Sequence, residues 1–365
     1  MNSRQRLLAA LDRRTPDRLP VTTHHLMPSF LSAQGGISEL QFFDRLDLDA
    51  ILWVSHLSND EADPAGSWHV ECEDMPDPMR RTTRYRITTP EGVLSTVLQD
   101  DGRTEWVCER LIKKKGDIEL IAQFAPVPSC DLEQVNREAA AFGDRGIVRG
   151  AVPGFPIYGQ PGCWQDAAVL FGIEALILAT FEDPVWVAEF LSILQHRKLA
   201  WLRSARGARF DLLELGGGDA SSSVISPDIF DRFVAPFDTP LIAAAHDAGQ
   251  RVVYHTCGGM MPILERIADM EPDAMETFTP RSMGGDADLC EAKRRIGARV
   301  CMIGGFDQFH HFIGCSPEET RLAVRRCFEE AGTGGGYILA PSDHFFEADE
   351  SLLHVFAAEA RSCVY

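Results

Sequence analysis

The sequence predicts an α/β protein of the (β/α)8 TIM-barrel class, with an antiparallel β-meander inserted near residues 68–107. Three observations carry this prediction. Short apolar, β-branched runs recur along the chain and read as buried strands, about eight in all, the number that closes a barrel. Amphipathic helical segments separate most of them, the alternation expected of a parallel sheet with crossover connections. Between Trp68 and Val107 the pattern changes to polar/apolar alternation around a Pro90-Glu91-Gly92 turn, which reads as antiparallel strands. A doubly wound open sheet is the competing architecture, but the GxGxxG fingerprint is absent after the first strand. At 365 residues with 45% hydrophobic content, the chain can fill one barrel core, so residues 1–365 are expected to form one domain.

Each element has a local reason. Met1 to Asp12 carries Leu7, Leu8 and Leu11 on one helical face. Thr15-Pro16-Asp17-Arg18 is turn chemistry, and Leu19 to Thr23 then reads as a strand ending at His24-His25. Asp49 to Ser55 is a second strand, ending at His56. After the meander, a helix is expected over Leu132 to Phe142 and a third core strand over Gly146 to Val152. Trp164 to Ala205 reads as helical, broken at Glu182-Asp183-Pro184, where the aspartate caps and the proline opens the next helix. Strands follow at Asp211–Glu214, Arg251–Tyr254, Asp273–Phe278, Val300–Ile303 and Tyr337–Ala340. Helices are expected at Pro227–Ala248, Met261–Ala268, Leu289–Ile296, Pro317–Ala331 and Glu350–Ser362.

Composition narrows the partners. The formal net charge of −19 argues against nucleic acid, because phosphate contacts need clustered Lys and Arg. No apolar run approaches the roughly 20 residues of a membrane span, and the N-terminal residues lack a signal-peptide pattern. The protein is therefore expected in the cytoplasm, away from membranes, with its ten cysteines reduced. A homodimer through an amphipathic helix face is compatible with the sequence, although nothing in the sequence marks an interface.

In a barrel of this class the chemistry sits at the carboxyl ends of the strands. Those ends carry His24 and His25, His56, Glu214 with Asp219 beyond Gly216-Gly217-Gly218, His255 and Cys257, Glu276, Asp307, and Asp343 with His344. His255 and Cys257, one residue apart before a glycine pair, have metal-ligand spacing, and imidazole and thiolate are common zinc donors. A buried pair that only packs a core has the same spacing. Cys290, Cys327 and Cys363 on helices and Cys301 in a strand are expected in the core, which leaves Cys315 as a reserve thiol ligand.

These residues resemble the uroporphyrinogen decarboxylase superfamily. The resemblance runs through Arg6-Leu7-Leu8-Ala9-Ala10-Leu11, Thr15 to Val21, His255-Thr256-Cys257-Gly258, Gly304-Gly305-Phe306-Asp307 and Gly335 to Pro341. It implies a (β/α)8 barrel. The decarboxylases of that superfamily have an N-terminal Arg-Gln-Ala-Gly-Arg stretch and an aspartate ending the second strand, where this chain has Thr23-His24-His25 and His56. The HxCG motif is similar to that of the zinc-dependent, corrinoid-linked methyltransferases, which implies that His255 and Cys257 bind zinc. Their third ligand is a cysteine after the last strand, where this chain has Pro341-Ser342-Asp343-His344; Asp343 or His344 takes that place.

The resemblance therefore implies a zinc-dependent methyltransferase moving a methyl group between a small substrate and a corrinoid. A site with fewer thiolates is harder and favours oxygen, so a methyl ether is the expected substrate and O-demethylation the expected reaction; zinc activation of a thiol acceptor that attacks methylcobalamin is the neighbouring possibility and would suit a second thiolate ligand better. Glu214 and Asp219 are the expected catalytic carboxylates, placed to orient His255, to supply an additional metal ligand or to act as general acid to the leaving oxygen, and His24, His56 and Trp164 are the expected pocket lining. No Asp-x-His-x-x-Gly cobalamin pattern is present, so the corrinoid (cobalamin) is expected on a partner protein. The alternatives are a metal-independent lyase acting on a smaller carboxylic acid, which would need Arg149 or Arg281 at the barrel mouth, and a non-catalytic binding protein.

Overall fold

The structure, a computed structural model, describes residues 1–54 and 66–365. Its strands in chain order are β1 (Ala50–Trp53), β2 (His69–Met75), β3 (Arg81–Thr89), β4 (Gly92–Asp100), β5 (Glu105–Glu109), β6 (Gly146–Ala151), β7 (Leu212–Gly216), β8 (Val252–Thr256), β9 (Ala274–Thr277), β10 (Cys301–Phe306) and β11 (Tyr337–Pro341). Seven of them pair in the order β1-β6-β7-β8-β9-β10-β11, each pair parallel. The expected meander is the separate antiparallel sheet β2-β3-β4-β5. Its inward residues Ile87 and Leu94 join the same apolar core as the barrel strands.

The curled parallel sheet is TIM-barrel-like, and the eighth position is held by the segment expected as the first strand. Only Val21 of that segment forms a bridge, to Leu339. Thr22 donates its N–H to Leu339 O at 2.9 Å, and Asp49 donates its own to Val21 O at 2.7 Å, so the segment joins β11 to β1. It is short because side chains replace part of its ladder. The Asp49 carboxylate accepts from Val21 N at 3.0 Å and pairs with Arg6 at 2.6 Å and Arg18 at 3.0 Å. The motif residues near the N-terminus thus close the barrel seam.

Most helices lie where the sequence places them: Leu132–Phe142 and Glu350–Ser362 match their expected limits, and Asp183 caps Pro184–Ser204 through Trp186 N. The helix expected from Pro227 to Ala248 is two, Pro227–Phe233 and Ala235–Asp247. Pro236 in the first turn of the second lacks the N–H that would continue the first. Helices at Pro28–Ala33, Glu39–Leu46 and Asp117–Phe124 were not expected, although the capping box of Ser38 with Gln41 marks one of them.

All ten cysteines are free thiols. Cys301, Cys327 and Cys363 are buried as expected, whereas Cys290 is exposed. The buried face of its helix is Leu289, Ala292 and Ile296, and a residue one step past Leu289 is rotated about 100° away. No single helix among the described residues is long and apolar enough to cross a membrane; Cys163–Phe171 and Ile173–Glu182 pass by length and composition only as a pair bent by 106°.

Candidate functional site

The strand register lays out the site. On β8, Tyr254 points outward and donates its hydroxyl to Asp238, at 2.9 Å, on the helix behind the sheet. Side chains alternate along a strand, so His255 faces the barrel interior. In the same register His255 sits beside Gly216 of β7 and Glu276 of β9. His255 Nδ1–H donates to Glu276 Oε1 at 2.9 Å, which directs the other ring nitrogen away from the sheet.

Glu276 is buried and gathers the polar layer of the barrel. Arg149 of β6 reaches across the interior to pair with Glu276 through both oxygens, with Arg149 Nη1 at 3.0 Å from Oε2. Arg149 also donates to Glu214 Oε2 at 2.7 Å and lies 4.4 Å over the Trp53 ring. Burial alone would push the Glu276 carboxyl up, but the Arg149 guanidinium and the neighbouring imidazoles hold it well below the usual carboxylate range. Burial opposes charge on His255 too, yet its hydrogen bonds to Cys257 and Glu276 raise it well above an ordinary imidazole.

Above this layer opens a cavity of about 750 Å³. Seven of the expected site residues line it: His24, Glu214, Asp219, His255, Cys257, Asp343 and His344. Trp164 does not; it is fully buried, and its indole donates to Asp219 O at 3.0 Å, so it supports the loop that carries Asp219. His56 lies outside the described residues. Cys315 contacts Thr320 instead, at 3.4 Å, and is not part of the cavity wall.

Three residues that the sequence left outside the expected zinc site matter here. Glu276 and Arg149 are two, and His25 is the third: it lines the cavity and stacks on Trp53 with centroids 3.6 Å apart. Burial lowers the His25 imidazole to about 4 and that of His24 well below its ordinary value, so both are neutral at physiological pH. Asp219 accepts from Gln165 Nε2 at 2.9 Å, and burial raises its carboxyl. The lining includes Glu214, Asp219 and Asp343 but, among the described residues, no Lys or Arg.

The glycine run after β7 brings this loop against β8. Gly216 has φ +99°, and a Cβ there would stand 2.4 Å from His255 O. A Cβ on Gly218 would stand 2.6 Å from Cys257 Sγ, so the loop packs directly on the thiol.

Against known proteins, the family model described as uroporphyrinogen decarboxylase (URO-D) matches residues 147–348, more than half of the chain. The chain belongs to the URO-D family. That span runs from β6 through β11 and holds all the cavity carboxylates and the His255-x-Cys257 pair. Uroporphyrinogen decarboxylases of Neisseria meningitidis, serogroups C and A, are each 29% identical over 125 residues, which is 33% of this chain and 32% of theirs. The matched stretch thus spans about a third of the length of these curated relatives. Among solved structures, a methyltransferase from Methanosarcina mazei aligns over 99% of both chains, with a TM-score of 0.66 and 14% identity. At that identity the likeness speaks for the fold of this URO-D family member alone.

Proposed function

We propose that this protein is a zinc-dependent methyltransferase that takes a methyl group from a small methyl ether to a corrinoid carried by a partner protein. The observation that carries the reading is the His255 imidazole, locked by Glu276 through Nδ1 at 2.9 Å, with the Cys257 thiol beside it at the cavity wall. A histidine that ligates a metal donates its other N–H to a carboxylate in this way. The donor set therefore fits zinc, with His255 and Cys257 as two ligands and Asp343 or His344 as the positions the sequence offers for a third. When bound, zinc would withdraw charge from the ether oxygen as the methyl group leaves for the corrinoid.

The remaining work falls to the chain itself. Asp219 Oδ2 is held by Gln165, and burial favours a proton on this carboxyl, which suits it to protonate the departing oxygen. Glu214 is fixed by Arg149 and makes the wall acidic rather than touching His255. His24 and His25, neutral and buried, line the cavity beside them.

The same arrangement disfavours a lyase that grips a carboxylate. Arg149 is committed to Glu276 and Glu214, and Arg281 opens into a different cleft of about 320 Å³. A polycarboxylate would meet Glu214, Asp219 and Asp343 in a cavity whose lining includes no Lys or Arg among the described residues, a poor electrostatic match in a partly desolvated site.

The test is to mix the zinc-loaded protein with free cob(I)alamin and a panel of aryl methyl ethers, and to follow methylcobalamin by absorbance. Formation that stops on chelation of the metal supports the reading. No methyl transfer from any ether, together with loss of carbon dioxide from a carboxylic acid in metal-free protein, would overturn it. A finer variant probes the loop. Gly218→Ala is expected to turn the Cys257 thiol aside and to weaken zinc binding about tenfold, with thermal stability close to wild type because the displaced atom is a side-chain tip; competition with a chromogenic chelator measures it.

A further inference from the structure

His24 is 7% exposed and lines the main cavity, yet neither of its ring nitrogens makes a hydrogen bond to any described residue. His24 Nδ1 lies 4.0 Å from Glu276 Oε1. The His24 ring stacks on His255, centroids 5.3 Å apart and planes 24° apart, and lies 4.9 Å from His344. Potential ligand atoms of His24, His255 and Glu276 all fall within 4.8 Å of one another, the one such trio among the described residues; the Cys257 thiol lies outside it and must turn inward to join the two imidazoles.

We propose that His24 is the third protein ligand of the metal held by His255 and Cys257. The inference rests on the zinc reading above and goes beyond it by moving the third donor from the last strand to the first. Glu276 is the weaker member of the trio as a ligand. Both its oxygens are taken by Arg149, and Oε1 also accepts from His255. At the rim, His344 Nδ1 lies 3.4 Å from His25 O and Asp343 Oδ1 accepts the His344 N–H at 2.7 Å; neither contact uses His344 Nε2 or Asp343 Oδ2, so these are the competing donors that the variants below test.

The barrel seam makes the exchange geometrically simple. The segment before His24 bonds β11 directly, through Thr22 N to Leu339 O at 2.9 Å. The end of the first segment and the loop after the last strand are therefore neighbours. A donor missing from one can be supplied by the other without rebuilding the barrel. Two imidazoles and one thiolate form a set that zinc and cobalt both accept.

Cobalt(II) added to metal-free full-length protein tests this by absorbance and needs no substrate. Wild type is expected to bind about one cobalt per chain in a low-coordinate site with a thiolate-to-cobalt charge-transfer band. His24→Gln is expected to lower cobalt affinity at least ~100-fold, more than loss of an orienting residue alone costs, while His344→Gln and Asp343→Asn keep wild-type affinity. His24→Cys is expected to restore binding with a stronger charge-transfer band per cobalt, because a second thiolate joins the metal. This variant also decides the matter should the amide variant fail to fold: an unchanged band would overturn the assignment. Wild-type affinity in His24→Gln, with or without loss in His344→Gln or Asp343→Asn, would overturn it while leaving the zinc reading intact. A wild type that takes up no cobalt, or a Cys257→Ala variant that binds it equally well, would overturn the zinc reading itself.

Discussion

Cys257→Ala is expected to purify with little or no zinc where wild type holds about one per chain, and to transfer no methyl group. Zinc prefers thiolate among the donors available here, and the remaining imidazole and carboxylate donors form a weaker site. Losing a first ligand should cost more than the 10–100-fold typical of a supporting residue. The substitution removes one atom at the cavity wall, where Cys257 is only partly buried, so the fold should persist and circular dichroism should match wild type. Elemental analysis of both proteins, prepared side by side, measures the effect. Equal zinc in the two would remove the basis for metal-dependent chemistry at this cavity.

The second large effect is on stability. Arg149 and Glu276 are each 2% exposed and bind each other across the barrel interior. Removing either charge leaves the other buried without compensation, which costs about 3–5 kcal/mol. Arg149→Met is expected near the upper end, because both Glu276 and Glu214 lose their partner. Glu276→Gln should cost less, since its amide can still accept, but it frees the His255 ring and should weaken zinc binding about 10–100-fold. The double variant Arg149→Met/Glu276→Gln should be more stable than the sum of the single losses implies, because no lone buried charge is left between the pair. Urea unfolding of the four proteins tests this, and strictly additive losses would show that the pair does not act as a unit.

Parts of this arrangement are legible in the sequence and parts are not. The strand series, the meander and the clustering of His24, Glu214, Asp219, His255, Cys257, Asp343 and His344 follow from period and order alone, because a parallel barrel delivers every strand end to one face. Trp164 was expected in the pocket for its aromatic ring, but one face of its helix Cys163–Phe171 is packed inward, and only neighbouring elements decide which. Cys290 was misplaced for a related reason, a phase error of one residue on an amphipathic helix. Glu276 was visible as a strand-end carboxylate, but its partner Arg149 lies 127 residues away, and no local pattern joins them.

The sequence by itself determined the fold class, the insertion, and the pair His255 and Cys257 on one strand end, since these depend on periodicity and on residues close in the chain. Only the tertiary structure decided which carboxylate orients His255, that Arg149 is spent inside the barrel rather than offered to a substrate, and that His24 stands buried beside His255. Those outcomes depend on distances across a closed sheet and on burial. Both are set by which strands become neighbours and which way each side chain faces, and a linear pattern of residue types does not encode either.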